Sequence, residues 1–114
     1  MSRKQINRRA AAHPPYVLFA ALGDATRLAL VMRLSSGQPH SIAQLTEGSH
    51  LTRQAITKHL RVLARAGLVR FTQSGREMLY EFDAQPIIEM HRYLEQISHQ
   101  WDDALARLRA FVEK

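Results

Sequence analysis

Apolar and polar positions along this chain follow two periods, and the switches between them mark its parts. Residues 53–65 (RQAITKHLRVLAR) have the helical period: Ala55, Ile56, Leu60 and Leu63 fall on one stripe, and Arg53, Gln54, Thr57, Lys58 and Arg61 lie opposite. Thr52 precedes this helix as an N-cap, with apolar Leu51 before it. Upstream, Ser41 caps a shorter helix in which Ile42 and Leu45 share a face, and Gly48 ends it. Residues 16–22 (YVLFAAL) are apolar throughout and predict a short buried helix, broken by Gly23 and capped anew by Asp24. The helix that follows, 25–35, offers Leu28, Val31, Met32 and Leu34 to a core. Residues 36–39 are turn chemistry, with a very short strand at Pro39 and His40.

After residue 65 the period changes. Ala66 and Gly67 close the helix, and residues 68–72 read as a strand by their β-branched and aromatic content. Residues 73–77 form a hairpin tip with Gly75 at its centre, and 78–82 return. Val69 and Phe71 share parity, as do Tyr80 and Phe82, so each strand has one apolar face to lay on the helices. Asp83 caps a last helix running to about Val112, with Pro86 tolerated in its first turn. Its apolar residues Ile87, Met90, Leu94, Ile97, Trp101, Leu105, Leu108 and Val112 form a near-heptad seam, over most of ~40 Å of helix. A small core cannot cover all of it, so the stripe from Trp101 to Val112 stays exposed unless another chain lies on it. The expected dimer interface is therefore Tyr16, Phe19, Leu94, Ile97, Trp101, Leu105 and Leu108.

The expected fold class is mainly α with a small β-hairpin wing: a winged helix-turn-helix, dimeric through its terminal helices. Residues 1–15 read as a basic N-terminal arm, 16–82 as the winged helix-turn-helix core, and 83–114 as the dimerisation helix. A two-fold dimer sets two outward helices roughly 34 Å apart, one turn of DNA.

Composition sharpens this. The chain has 114 residues and no cysteine, which removes disulfides, thiolate metal sites and a cysteine nucleophile. The formal net charge is +6, which favours a polyanionic partner. Six cations and no acid lie between residues 48 and 76, whereas residues 83–114 hold six acids and four bases. No apolar run approaches the ~20 residues needed to span a bilayer, and the N-terminus lacks the apolar segment of a signal peptide, so a cytoplasmic protein is expected. No Gly-rich phosphate loop and no catalytic spacing of Ser, His and acid is present, so no enzyme is expected.

Asp24-Ala25-Thr26-Arg27, the run from Thr57 through Leu63 (TKHLRVL), and the wing glycine and arginine follow one another at a recognisable spacing. From residue 16 to about 112 the chain resembles the ArsR-type winged helix-turn-helix repressors. The resemblance implies a homodimeric DNA-binding transcriptional regulator, usually a repressor of its own operon. Family members read DNA with the opening turns of the second helix, here Arg53, Gln54, Thr57 and Lys58. Arg53 or Lys58 suits guanine O6 and N7, and Gln54 suits adenine N6 and N7. Thr57 suits a phosphate or a thymine methyl, and Arg61 and Arg76 position the protein on the backbone. The expected DNA-contacting set is thus Thr52, Arg53, Gln54, Thr57, Lys58, Arg61, Gly75 and Arg76. His59 borders the core stripe and suits an interior hydrogen bond or a phosphate equally.

Many relatives sense metals, and here the sequence departs from them. Thiolate sensors carry a Cys-x-Cys at positions that correspond approximately to Ser41 and Ala43, which cannot bind a soft metal. A second pattern uses carboxylates and histidines on the last helix, for which Glu89, His91, His99 and Asp102 are present. His91 and His99 are eight apart, turned by ~80° on an ideal helix, where the family interval is longer. No metal or other cofactor is expected. A metal-responsive repressor using those four residues, and a winged-helix module for protein or RNA, remain as alternative readings.

Overall fold

Capping side chains set the starts of three of the five helices in the computed structural model, which describes residues 13–113. Helix α1 spans Pro15–Leu22, and α2 spans Ala25–Leu34 behind Asp24, whose carboxylate accepts from the Arg27 backbone N–H at 3.0 Å. Strand β1 is His40–Ser41, α3 is Ile42–Thr46 and α4 is Arg53–Arg65. Strands β2 (Val69–Ser74) and β3 (Glu77–Phe82) form the hairpin, and α5 is Gln85–Val112. Residues 1–12 of the expected basic arm lie outside the described residues.

The sheet order is β1-β3-β2, antiparallel throughout. Val69 faces Phe82 and Phe71 faces Tyr80, as parity requires. The very short strand is one residue later than expected, because Pro39 has no N–H to give a ladder, and His40 and Ser41 pair with Tyr80 and Leu79. The wing tip is tighter than expected. Ser74 pairs with Glu77, leaving only Gly75 and Arg76 in the turn. Gly75 has φ +61° and Arg76 does not share a positive φ, the combination of a type II′ turn.

The core gathers one face of every helix: Leu18 and Ala21 from α1, Leu30, Val31 and Leu34 from α2, Leu45 from α3, and Ile56, Leu60 and Leu63 from α4. Leu68, Val69, Tyr80 and Met90 close it. Three expectations need correction. Leu28 and Met32 are exposed, at 47% and 67%, because they lie over 100° around α2 from Leu34 on an ideal helix. Leu30 takes the place they were given. Helix α1 is buried on one face only, with Tyr16 73% exposed. Phe71 overhangs the core and rests its ring on Tyr80, 5.8 Å between centroids.

Asp83 begins the last helix from one position further out than expected. Ala84 occupies the cap position, and Asp83 Oδ1 accepts from the Gln85 N–H at 3.1 Å. Arg70 reaches Asp83 Oδ2 at 3.3 Å, tying the base of the wing to the start of α5. Helix α5 is 28 residues, ~42 Å long, and none of its described residues beyond Met90 is buried. Its distal half therefore carries an apolar stripe with no covering in the single chain.

Candidate nucleic-acid interface

The two helices of the motif are held from both ends. Ser41 Oγ accepts from the Gln44 N–H while Gln44 Oε1 accepts from the Ser41 N–H, a complete capping box on α3. At its other end Arg33 donates to the carbonyls of Gln44 and Leu45, at 2.8 and 3.3 Å. Gly48 makes the turn with φ +78°, which a side chain would disfavour. Thr52 Oγ1 then caps α4 by accepting from the Ala55 N–H at 3.1 Å.

This frame presents Arg53, Gln54, Lys58 and Arg61 to solvent, and with Thr57 and Ile42 they line one open concavity. Among the described residues none of Arg53, Lys58, Arg61 or Arg76 has an ion pair. Other cations that sequence alone makes equivalent are already engaged. Arg27 and Arg33 hold backbone carbonyls, and Arg70 lies 3.7 Å from Glu81 as well as beside Asp83. Arg70 therefore drops out of the free positive field, since its charge is met within the fold.

The hydroxyl of Thr57 donates to the Arg53 carbonyl at 2.7 Å. Its proton is engaged on the helix, so Thr57 offers its methyl rather than a donor for phosphate. At the wing tip Gly75 and Arg76 are exposed, and Gln73 Nε2 donates to the Gly75 carbonyl at 2.9 Å, bracing the turn. His59 turns inward, its Nδ1 3.3 Å from Arg27 Nη1 and 3.8 Å from Asp24 Oδ2. Asp24 is held below the ordinary carboxylate range, first by the Arg27 backbone N–H.

Helices α1 and α5 carry an exposed apolar surface. Tyr16, Phe19, Leu94, Trp101, Leu105 and Leu108 are exposed, and Ile97 is half-buried. Phe19 and Tyr93 bring α1 and α5 together, with ring centroids 6.2 Å apart. Tyr93 and Phe111 extend this face; both stand three or four residues from seam positions, which was the signal for them. Among the described residues no group of three or more His, Asp or Glu side chains stands together as a metal site. Glu89, His91, His99 and Asp102 are not gathered within one chain; His91 instead pairs with Glu95 one turn on, at 3.6 Å. No helix among the described residues is long and apolar enough to cross a membrane.

A family model described as a helix-turn-helix domain matches residues 22–70. The HTH-type transcriptional repressor SmtB of Mycobacterium tuberculosis is 31% identical over 88 residues, 77% of this chain; the match spans only 63% of that repressor's length. The HTH-type transcriptional regulator Rv2034 of the same organism is 33% identical over 93 residues, covering 82% of this chain and 83% of that one. Among solved structures, an ArsR-like transcriptional regulator from Rhodococcus sp. RHA1 has TM-score 0.75 and 35% identity, over 85% of this chain and 91% of that one.

Proposed function

Because the chain belongs to the ArsR-like family of helix-turn-helix transcriptional regulators, we propose that it is a homodimeric repressor that binds an inverted-repeat operator. Helix α4 enters the major groove, and the wing tip at Gly75 and Arg76 lies on the minor groove or the adjacent backbone. The observation that carries this reading is the outward face of α4, where Arg53, Gln54, Lys58 and Arg61 stand exposed and, among the described residues, without an ion pair.

Each side chain has a role its chemistry fits. Arg53 or Lys58 donates to guanine O6 and N7, and the Gln54 amide pairs with adenine N6 and N7. The Thr57 methyl meets a thymine methyl. Thr52 sits at the helix N-terminus, where backbone N–H groups favour a phosphate. Arg61 and Arg76 neutralise phosphates and set register without specifying sequence. Two copies joined through α1 and α5 place two such helices on one face of a duplex, and doubling the phosphate contacts lifts binding above the weak non-specific level.

The test begins with duplexes selected by the wild-type protein from a random pool. Arg53→Ala and Gln54→Ala should each weaken a selected duplex by roughly 1–3 kcal/mol and relax preference at one base pair per half-site. Equal weakening on unrelated DNA assigns these residues to the backbone. No salt-dependent binding to any duplex rejects DNA as the partner and leaves a protein- or RNA-binding module. A change in affinity on adding zinc or a chelator favours metal-responsive repression.

A further inference from the structure

One guanidinium in this fold touches two helices with different tasks. Helix α1 ends at Leu22, so its last carbonyls take donors from outside the helix, and Ala20's already has the Gly23 N–H at 3.2 Å. Arg27 supplies them: Nε donates to the Ala21 carbonyl at 2.6 Å, and Nη2 to the Ala20 carbonyl at 3.4 Å. The remaining arm of the same group, Nη1, donates to His59 Nδ1 of α4 at 3.3 Å. Arg27 is itself anchored, because its backbone N–H is the one that Asp24 accepts. A guanidinium is planar, with donors in a rigid fork, so fixing two arms on α1 fixes where the third meets α4. A guanidinium has donors only, so in this contact His59 Nδ1 is the acceptor.

We propose that the Arg27–His59 contact is a positioning bracket: it holds the reading helix at a set angle to α1, which carries Tyr16 and Phe19 of the proposed dimer face, and thereby determines which half-site spacing the protein accepts. The proposal rests on the dimeric DNA-reading function above and adds the residues that regulate its geometry. Neither side chain touches DNA in this assignment. The lever is short but sufficient. Arg53 lies six residues, ~9 Å, before His59 along α4. A tilt of ~10° about His59 moves the reading end by ~1.5 Å. In a two-fold dimer the two ends move together to change their separation by ~3 Å, close to the 3.4 Å rise of one base pair. An α4 released from Arg27 therefore blurs spacing by about one base pair, while its own outward side chains are unchanged.

The experiment compares wild type with three variants on a duplex that the wild type selected from a random pool. The same duplex is also tested with one base pair added to or removed from its centre, alongside an unrelated duplex. Wild type should lose about tenfold or more on either spacer change. His59→Ala should lose no more than about threefold on the spacer change, and bind the unrelated duplex within about twofold of wild type. His59→Asn sets an amide oxygen where Nδ1 stood and should restore the wild-type spacer penalty. His59→Gln reaches the Nε2 position instead and should not restore it. A full spacer penalty in His59→Ala or His59→Gln overturns the proposal. So does an equal loss on every duplex, which is the signature of a merely structural residue. A wild type indifferent to spacing removes the dimeric reading itself, and this bracket with it.

Discussion

Replacing Leu105 by glutamate should separate the two copies and leave each one folded. Leu105 stands on the part of α5 that extends past the core and is 56% exposed in the single chain. Covering that remaining surface with a second copy contributes about 1–2 kcal/mol, at 1.5–3 kcal/mol for a fully buried leucine. Two-fold symmetry doubles the figure. A glutamate at the same place also brings a carboxylate that must leave water, an effective penalty of several kcal/mol per ion. Together the substitution opposes the dimer by roughly 5 kcal/mol or more, over about a thousandfold in dissociation constant. The fold of the monomer should hardly notice. Leu and Glu have similar helix propensities, and the site touches no core residue, so stability should change by under about 0.5 kcal/mol. Sedimentation equilibrium across a dilution series reads the association, and titration of the selected duplex reads its consequence. Leu105→Ala should fall between, about 2–3 kcal/mol per dimer by lost area alone. A Leu105→Glu variant that still sediments as a dimer, or a wild type that is monomeric throughout, refutes the reasoning. Unfolding of that variant refutes a different step, the placement of Leu105 outside the core.

Three further outcomes follow from the geometry. Arg76→Ala removes one phosphate contact per protomer and should make the slope of log affinity against log salt shallower by about 1 per protomer; an unchanged slope places the wing tip off the DNA. Asp24→Asn keeps a capping oxygen on α2 and removes its charge: the folded carboxyl lies below its ordinary 3.8, so the stabilisation due to the charge is present above that pH and fades as pH falls through the lower folded value. The stability gap between wild type and Asp24→Asn in urea melts should therefore hold from neutral pH to about 4 and close in stronger acid, and a gap that persists undiminished at about pH 2 contradicts this. Leu60→Ala, at a fully buried site on α4, should cost about 2–5 kcal/mol, whereas Leu28→Ala should stay within about 0.5; similar losses at both would put the α2 stripe back where periodicity placed it.

Much of the fold was legible because its signals are local. Thr52 capping the first turn of α4, the 53–65 stripe and the 87–112 seam all depend on residues within a turn or two of each other, so spacing alone reveals them. The candidate reading face was legible for the same reason. Gln54, Lys58 and Arg61 lie opposite Ile56, Leu60 and Leu63 on any regular helix, whereas Arg53, seven residues before Leu60 and so on its side, is exposed at the first position of the helix. Where the reading failed, the deciding partner was distant in sequence. Leu28 and Met32 are apolar and helical, yet the neighbours that choose which face of α2 is covered come from α4 and the sheet. Arg70 looked like one more free cation until the return strand brought Glu81 and Asp83 beside it.

By itself, then, the order of residues determined the helices and strands, the basic middle and the apolar stripe of the last helix, because periodicity, caps and turn residues act over a few positions. Only the tertiary structure decided which cations are free and which are braces, and that His59 faces Arg27 rather than solvent. Those outcomes depend on contacts between segments well apart in sequence, from Arg33 and Gln44, 11 residues apart, to Arg27 and His59, 32 apart, and no local pattern encodes which side chains chain folding will bring together.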